Sequence, residues 1–145
     1  MPEKPRFKFL EHRADVYVAA YGRSLEAAFE NAALATFETM TDTGKVKPLL
    51  EETVEVEGFD EKALLYNWLE TLLVRFDTDG SLYSKFEVSS LQQTDGGYRL
   101  KAKVYGERFD PEKHPSKVGV KAVTYHRMEI EKARGKVEVR FILDI

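Results

Sequence analysis

The sequence contains no cysteine. That excludes a disulfide scaffold, a thiolate metal site and a cysteine nucleophile, and it fits a reducing compartment. Long apolar runs are missing as well. No window approaches the ~20 apolar residues that a membrane span needs. Met1 to Lys8 carries three basic residues where a secretory leader would carry an apolar stretch. The expected location is therefore the cytoplasm, with no membrane contact. Positive charge is not in excess either. The formal net charge is −3, which argues against a protein that holds nucleic acid mainly by bulk electrostatics. Among chemical motifs, the P-loop, the dinucleotide fingerprint and HExxH are all absent. Asp77-Thr78-Asp79-Gly80 opens like a calcium loop, but Val88 stands where the loop's last carboxylate should be, so the stretch reads as a turn.

What is present is the material of one α+β domain. The 145 residues are 43% hydrophobic and 32% charged, enough for a sizeable core under a well-charged surface. Arg6 to Leu10 and Val16 to Tyr21 read as strands around the polar knot Glu11-His12-Arg13-Ala14-Asp15, which is either a solvated turn or a site loop. Ser24 is a good N-cap for an amphipathic helix over Leu25 to Met40. Glu52 to Gly58 alternates as a strand. Asp60 then caps a second helix from Glu61 to Phe76, whose stripe of Leu64, Leu65, Trp68, Leu69, Leu72 and Leu73 marks it as the main packing helix.

The remainder is β-rich. A strand from Tyr83 to Leu91 turns at Asp95-Gly96 into Tyr98 to Val104, which Gly106 is expected to break. The proline-containing stretch from Phe109 to Lys117 follows, and a small subsidiary lobe around 106–119 is allowed. Val120 to Ile130 and Lys136 to Leu143 are the last two strands. The expected architecture is a single domain over 1–145, with two helices packed on an antiparallel or mixed β-sheet sandwich.

Val120 to Ile130 organises the chain. Strict alternation would place Ala122, Thr124, His126, Met128 and Ile130 on one face and Lys121, Val123, Tyr125, Arg127 and Glu129 on the other. Its first half crowds an ammonium, a hydroxyl, a phenol and an imidazole into Lys121 to His126, a density that a strand does not need. His126 is either a core imidazole facing the helices or part of a polar tip. A second concentration of chemistry lies at strand ends. Asp15 opens one strand, Asp144 closes another, and the Ile145 carboxylate follows. Three oxygen donors at one rim would suit Ca²⁺ or Mg²⁺. The alternative is an ordinary turn aspartate and an aspartate at a frayed end.

The chain also resembles the archease family along nearly its whole length. The pieces that carry the resemblance are Phe9 with His12-Arg13-Ala14-Asp15, the helix Leu25 to Ala33, Asp60 with Leu64-Leu65 and Trp68-Leu69, Gly106-Glu107 with Asp110 and His114, Val120-Lys121-Ala122-Val123-Thr124-Tyr125-His126, and the terminal Asp144-Ile145. Arg13 stands where the family usually has Thr, and Gly119 where an acidic residue is common. The resemblance implies a cofactor protein rather than an enzyme. It would assist an RtcB-type tRNA-splicing RNA ligase by promoting ligase guanylylation and repeated turnover, with RNA met only indirectly. It implies a divalent metal, most often calcium, held by Asp15, Asp144 and the Ile145 carboxylate. His12, Lys121, Thr124, Tyr125 and His126 would lie beside that site or contact the partner. Two other readings stay open: a chaperone-like modulator of a tRNA methyltransferase, and a metal-dependent hydrolase using His12 or His126 as general base.

Overall fold

The structure, a computed structural model, describes residues 5–10 and 15–145. Seven strands and two helices follow the expected order: β1 (Phe7–Leu10), β2 (Asp15–Gly22), α1 (Leu25–Met40), β3 (Leu50–Gly58), α2 (Glu61–Asp79), β4 (Ser81–Thr94), β5 (Gly97–Arg108), β6 (Ala122–Ala133) and β7 (Lys136–Asp144). The strands form two sheets, β1-β2-β7-β6 and β3-β5-β4. Every pairing is antiparallel. The fold is therefore α+β, with the helices packed against two antiparallel sheets. α1 packs on β2 and β4, and α2 on β3 and β6.

Local chemistry sets both helix starts. The Ser24 hydroxyl accepts from the Ala27 N–H, and an Asp60 carboxylate oxygen accepts from the Ala63 N–H, so each cap satisfies a donor left over by the first turn. Ala28, Ala32 and Ala33 are fully buried, and their small side chains let α1 lie close to the sheet. Trp68, also fully buried, joins the two helices: its indole N–H donates to the Phe29 carbonyl at 2.9 Å. The Leu stripe of α2 is core, as its spacing predicts.

Three readings of the sequence need correction. Asp77 to Asp79 is not a turn but the last turn of α2, closed by Gly80 in the left-handed region (φ 71°), whose N–H bonds to the Phe76 carbonyl. The polar trio looks turn-like, yet the stop signal is the glycine after it. Gly106 does not break β5. It is paired on both sides, with Leu50 of β3 and Tyr83 of β4.

The third correction concerns β6. Its alternation is interrupted between Thr124, opposite Ile142, and Glu129, opposite Arg140. Residues 125–128 thus stand against Phe141 alone. The bulge reverses the parity of the strand, so that Val123 before it and Met128 after it both enter the core. Strict alternation had put those two on opposite faces.

The segment 109–121 is bonded to its surroundings along its length. The Phe109 N–H reaches the Gly80 carbonyl, Lys117 and Val118 donate to the carbonyls of Met40 and Thr39, and the Lys121 N–H reaches the Asp144 carbonyl at 2.7 Å. Its delivery of Lys121 to the end of β7 matters for the site.

A Cβ on Gly106 would fall 1.7 Å from the Leu82 carbonyl oxygen, which is backbone of the neighbouring strand β4. Gly106→Ala should therefore destabilise by about 3 kcal/mol or more. Urea denaturation followed by circular dichroism checks this; a loss below ~1 kcal/mol would mean that β4 and β5 can separate there at little cost.

Candidate functional site

The site is built where three strand ends meet. β2 and β7 pair without interruption from Asp15↔Asp144 to Gly22↔Val137, and β6 joins on the other side with Ala122↔Asp144. Directly paired residues project to the same face of a sheet. Asp15 and Asp144 therefore stand side by side on the face opposite the one that carries Val18, Phe141 and Leu143 into the core. Asp144 is exposed and Asp15 partly so. The Ile145 side chain packs against the core, which ties down the chain beyond Asp144. Two like charges directly opposite each other destabilise a sheet by themselves, and a cation between them reverses the sign. Oxygen donors of this kind fit a hard cation. Among the described residues no group of three or more His, Asp or Glu side chains is arranged to hold a metal, so the described part of the rim offers two aspartates.

The other expected site residues cluster unevenly around that rim. Lys121 is exposed and held next to Asp144 through its backbone. Thr124 lies one row in, opposite Ile142, with its hydroxyl oxygen shielded from solvent and without a hydrogen-bond partner among the described residues. Tyr125 and His126 sit on the bulge, and both are exposed. His126 is thus not a core imidazole. The Tyr125 ring stacks on Tyr66 of α2, with centroids 4.5 Å apart and planes within 5°. Burial against that ring, together with Tyr66 and Asp60 nearby, raises the Tyr125 phenol above its ordinary value. His12 and the rest of the polar knot before Asp15 lie outside the described residues.

Two features carry no signal in the sequence. Arg127 adopts φ 57°, the one left-handed non-glycine among the described residues, and its guanidinium lies 5.2 Å from the ring centre of Tyr17. Tyr17 is two residues from Asp15 on the same face. The second feature is a polar knot around the buried His114, in the segment that leads to Lys121. Asp110 donates its N–H to His114 Nδ1 at 2.9 Å, and an amide can only donate, so the imidazole proton sits on Nε2 and is given to Glu107 at 2.9 Å. Glu107 also accepts from the Lys113 ammonium and the Lys47 N–H. In the sequence, Glu107, Asp110 and His114 stand out only as pieces of the family pattern, which says nothing of a contact between them.

With the geometry in place, kinship can be read. The model of the Archease protein family (MTH1598/TM1083) matches residues 7–145. The chain belongs to the archease family. A protein archease from Sulfolobus acidocaldarius is 50% identical over 140 residues, which is 97% of this chain and 99% of the relative. One from Pyrococcus abyssi is 50% identical over 127 residues, or 88% and 89% of the two chains. The solution structure of Methanobacterium thermoautotrophicum protein 1598 superposes with a TM-score of 0.84 at 44% identity, over 97% of this chain and 99% of that one. The crystal structure of a Thermotoga maritima archease, named a possible chaperone, shares the fold with a TM-score of 0.63 at 16% identity, over 100% and 98% of the chains. No helix among the described residues of this archease-family chain is long and apolar enough to cross a membrane.

The acid knot yields a pH dependence with a definite sign. The Lys113 ammonium first, then the Lys47 N–H and the His114 imidazole, lower the Glu107 carboxyl from 4.5 to about 2. A depressed carboxyl contributes stability that is fully present above its unfolded value and lost as the pH falls through its folded one. The wild type should therefore lose stability relative to Glu107→Gln between about pH 4.5 and pH 2, the gap between the two closing as the pH drops. Denaturant melts of both proteins across that range test this; a gap independent of pH would contradict it.

Proposed function

We propose that this protein is a non-catalytic activator of an RtcB-type tRNA-splicing RNA ligase, acting in the cytoplasm through an acidic, metal-bearing tip that promotes guanylylation and repeated turnover of the ligase. The observation that supports it most is the direct pairing of Asp15 with Asp144 at the sheet rim. A carboxylate pair at a strand end contributes little to the fold, and its oxygens are the donor type that a hard cation takes. The family membership of the chain and the lack of any nucleotide-binding motif in its sequence point the same way. The net charge of −3 favours a protein partner over direct RNA binding.

On this reading Asp15 and Asp144, with the carboxylate after Ile145 as a third donor, hold Ca²⁺ or Mg²⁺. The cation supplies positive charge and coordination for phosphate oxygens. The protein's own part is positional. The β2–β7 ladder holds the two aspartates at a fixed separation, the partly buried Ile145 side chain restrains the third donor, and the bond from Lys121 to the Asp144 carbonyl places an ammonium-bearing residue alongside. Thr124, Tyr125 and His126 continue the surface toward α2, and His12 precedes Asp15 by three residues in the sequence. The partner's nucleotide or metal pocket is the natural receptor for such a tip.

Guanylylation of the cognate ligase with and without the protein tests the reading. The wild type should accelerate it and raise the number of ligase turnovers. Asp15→Ala and Asp144→Ala should each abolish the stimulation with the fold intact, because exposed carboxylates contribute at most ~1 kcal/mol through ion pairs. A folded double variant that stimulates normally would sink the metal-bearing tip. A wild type that leaves both guanylylation and turnover unchanged would sink the activator itself. In a separate test, residues appended after Ile145 should weaken Ca²⁺ binding in a calorimetric titration; unaltered binding would remove that carboxylate from the ligand set.

A further inference from the structure

The bulge in β6 is more elaborate than edge protection requires. An edge strand is blunted by one extra residue or one charge. Here residues 125–128 oppose a single partner residue, and Arg127 is held in a left-handed conformation that strains a non-glycine residue. Such strain persists only where the surroundings impose it, and those surroundings are visible. Met128 is pinned in the core at 3% exposure, Tyr125 is stacked on Tyr66, and the Arg127 guanidinium is laid over Tyr17. The outcome is a rigid three-residue display, Tyr125-His126-Arg127, beginning three residues along β6 from Ala122, the direct neighbour of Asp144. Tyr125 remains 51% exposed although its ring is already fixed in place.

A tyrosine and an arginine that lose little freedom on binding are the side-chain types that dominate protein–protein affinity. We propose that this bulge is a preformed protein-docking element, with Tyr125 and Arg127 as its anchors, which sets affinity for the partner while the Asp15–Asp144 rim sets the activation. The inference rests on the activator reading for the identity of the partner, the ligase. The surface it fits has an apolar slot for the phenol ring and a carboxylate for the guanidinium. RNA is disfavoured as the occupant: the negative charge of Asp60, the N-cap of α2, is felt at Tyr125, and Glu129 follows on β6.

The experiment uses the full chain and measures two quantities side by side: direct binding of fluorescently labelled protein to the ligase, and ligase guanylylation against protein concentration. Arg127→Gly is the decisive variant, because glycine relieves the backbone strain and keeps the fold while removing the guanidinium. Tyr125→Ala is its companion, and Tyr125→Phe preserves the stack. Arg127→Gly and Tyr125→Ala should each weaken binding about tenfold or more and shift the half-saturating concentration equally. At saturation, stimulation should recover to within about twofold of wild type, and Tyr125→Phe should stay close to wild type throughout. Wild-type affinity in both Arg127→Gly and Tyr125→Ala would overturn the proposal, as would unchanged ligase binding with loss of binding to a tRNA exon fragment. A wild type that binds the ligase through these anchors without stimulating it would refute the activator reading and leave the docking element standing; a wild type that does not bind the ligase at all would overturn the docking element.

Discussion

The pairing of β2 with β7 is the constraint on which the rest of this molecule depends. It joins an early strand to the last one, across nearly the whole length of the chain, and runs unbroken over eight residues. Burial fixes its register. Val18 and Ala20 of β2 meet Phe141 and Val139 of β7, and all four are fully buried. Because side chains alternate with period two, a slip of β2 by one residue would turn Val18 and Ala20 outward and carry Asp15 to the other face. Hydrophobic burial several residues away thus decides that Asp15 and Asp144 stand opposite each other.

β6 shows the opposite tactic. It joins the same sheet as an edge strand, and its register is interrupted beside the Asp15–Asp144 rim. Before the bulge it pairs regularly, so Ala122 flanks Asp144; after the bulge it pairs regularly again, so Ile130 meets Val139. The interruption frees Tyr125, His126 and Arg127 from the alternation and turns them toward solvent. Rigid pairing places the acids, and a local departure from pairing exposes the neighbours. The polar knot of Glu107, His114 and Lys113 supports both by anchoring the segment that enters β6 at Lys121.

Local signals were legible in the sequence and non-local ones were not. The ends of α1 followed from Ser24 and from the spacing of Phe29, Ala33 and Phe37, because capping and periodicity act within a few residues. The end of α2 was missed because Asp77, Thr78 and Asp79 are individually poor helix residues, and only the left-handed Gly80 decides where the helix stops. Gly106 looked like a strand breaker because the reason for a glycine there, the Leu82 carbonyl of another strand, lies 24 residues away in sequence. In β6 the parity switch was present in the pattern, with apolar residues at 123, 128 and 130 and polar ones between. A strict period of two overlooked it. The meeting of Asp15 and Asp144 could be posed from their positions at strand ends, but adjacency of β2 and β7 is a matter of strand order, which no local pattern specifies.

The most direct test of the account is a map of where a cation acts on this protein. Backbone amide resonances of the isotope-labelled chain, followed during titration with Ca²⁺ and then Mg²⁺, supply it residue by residue. The account predicts saturable shifts centred on Asp15, Asp144 and Ile145, extending to Lys121 and Ala122 and fading along β7. Shifts centred elsewhere, or none at millimolar cation, would contradict it.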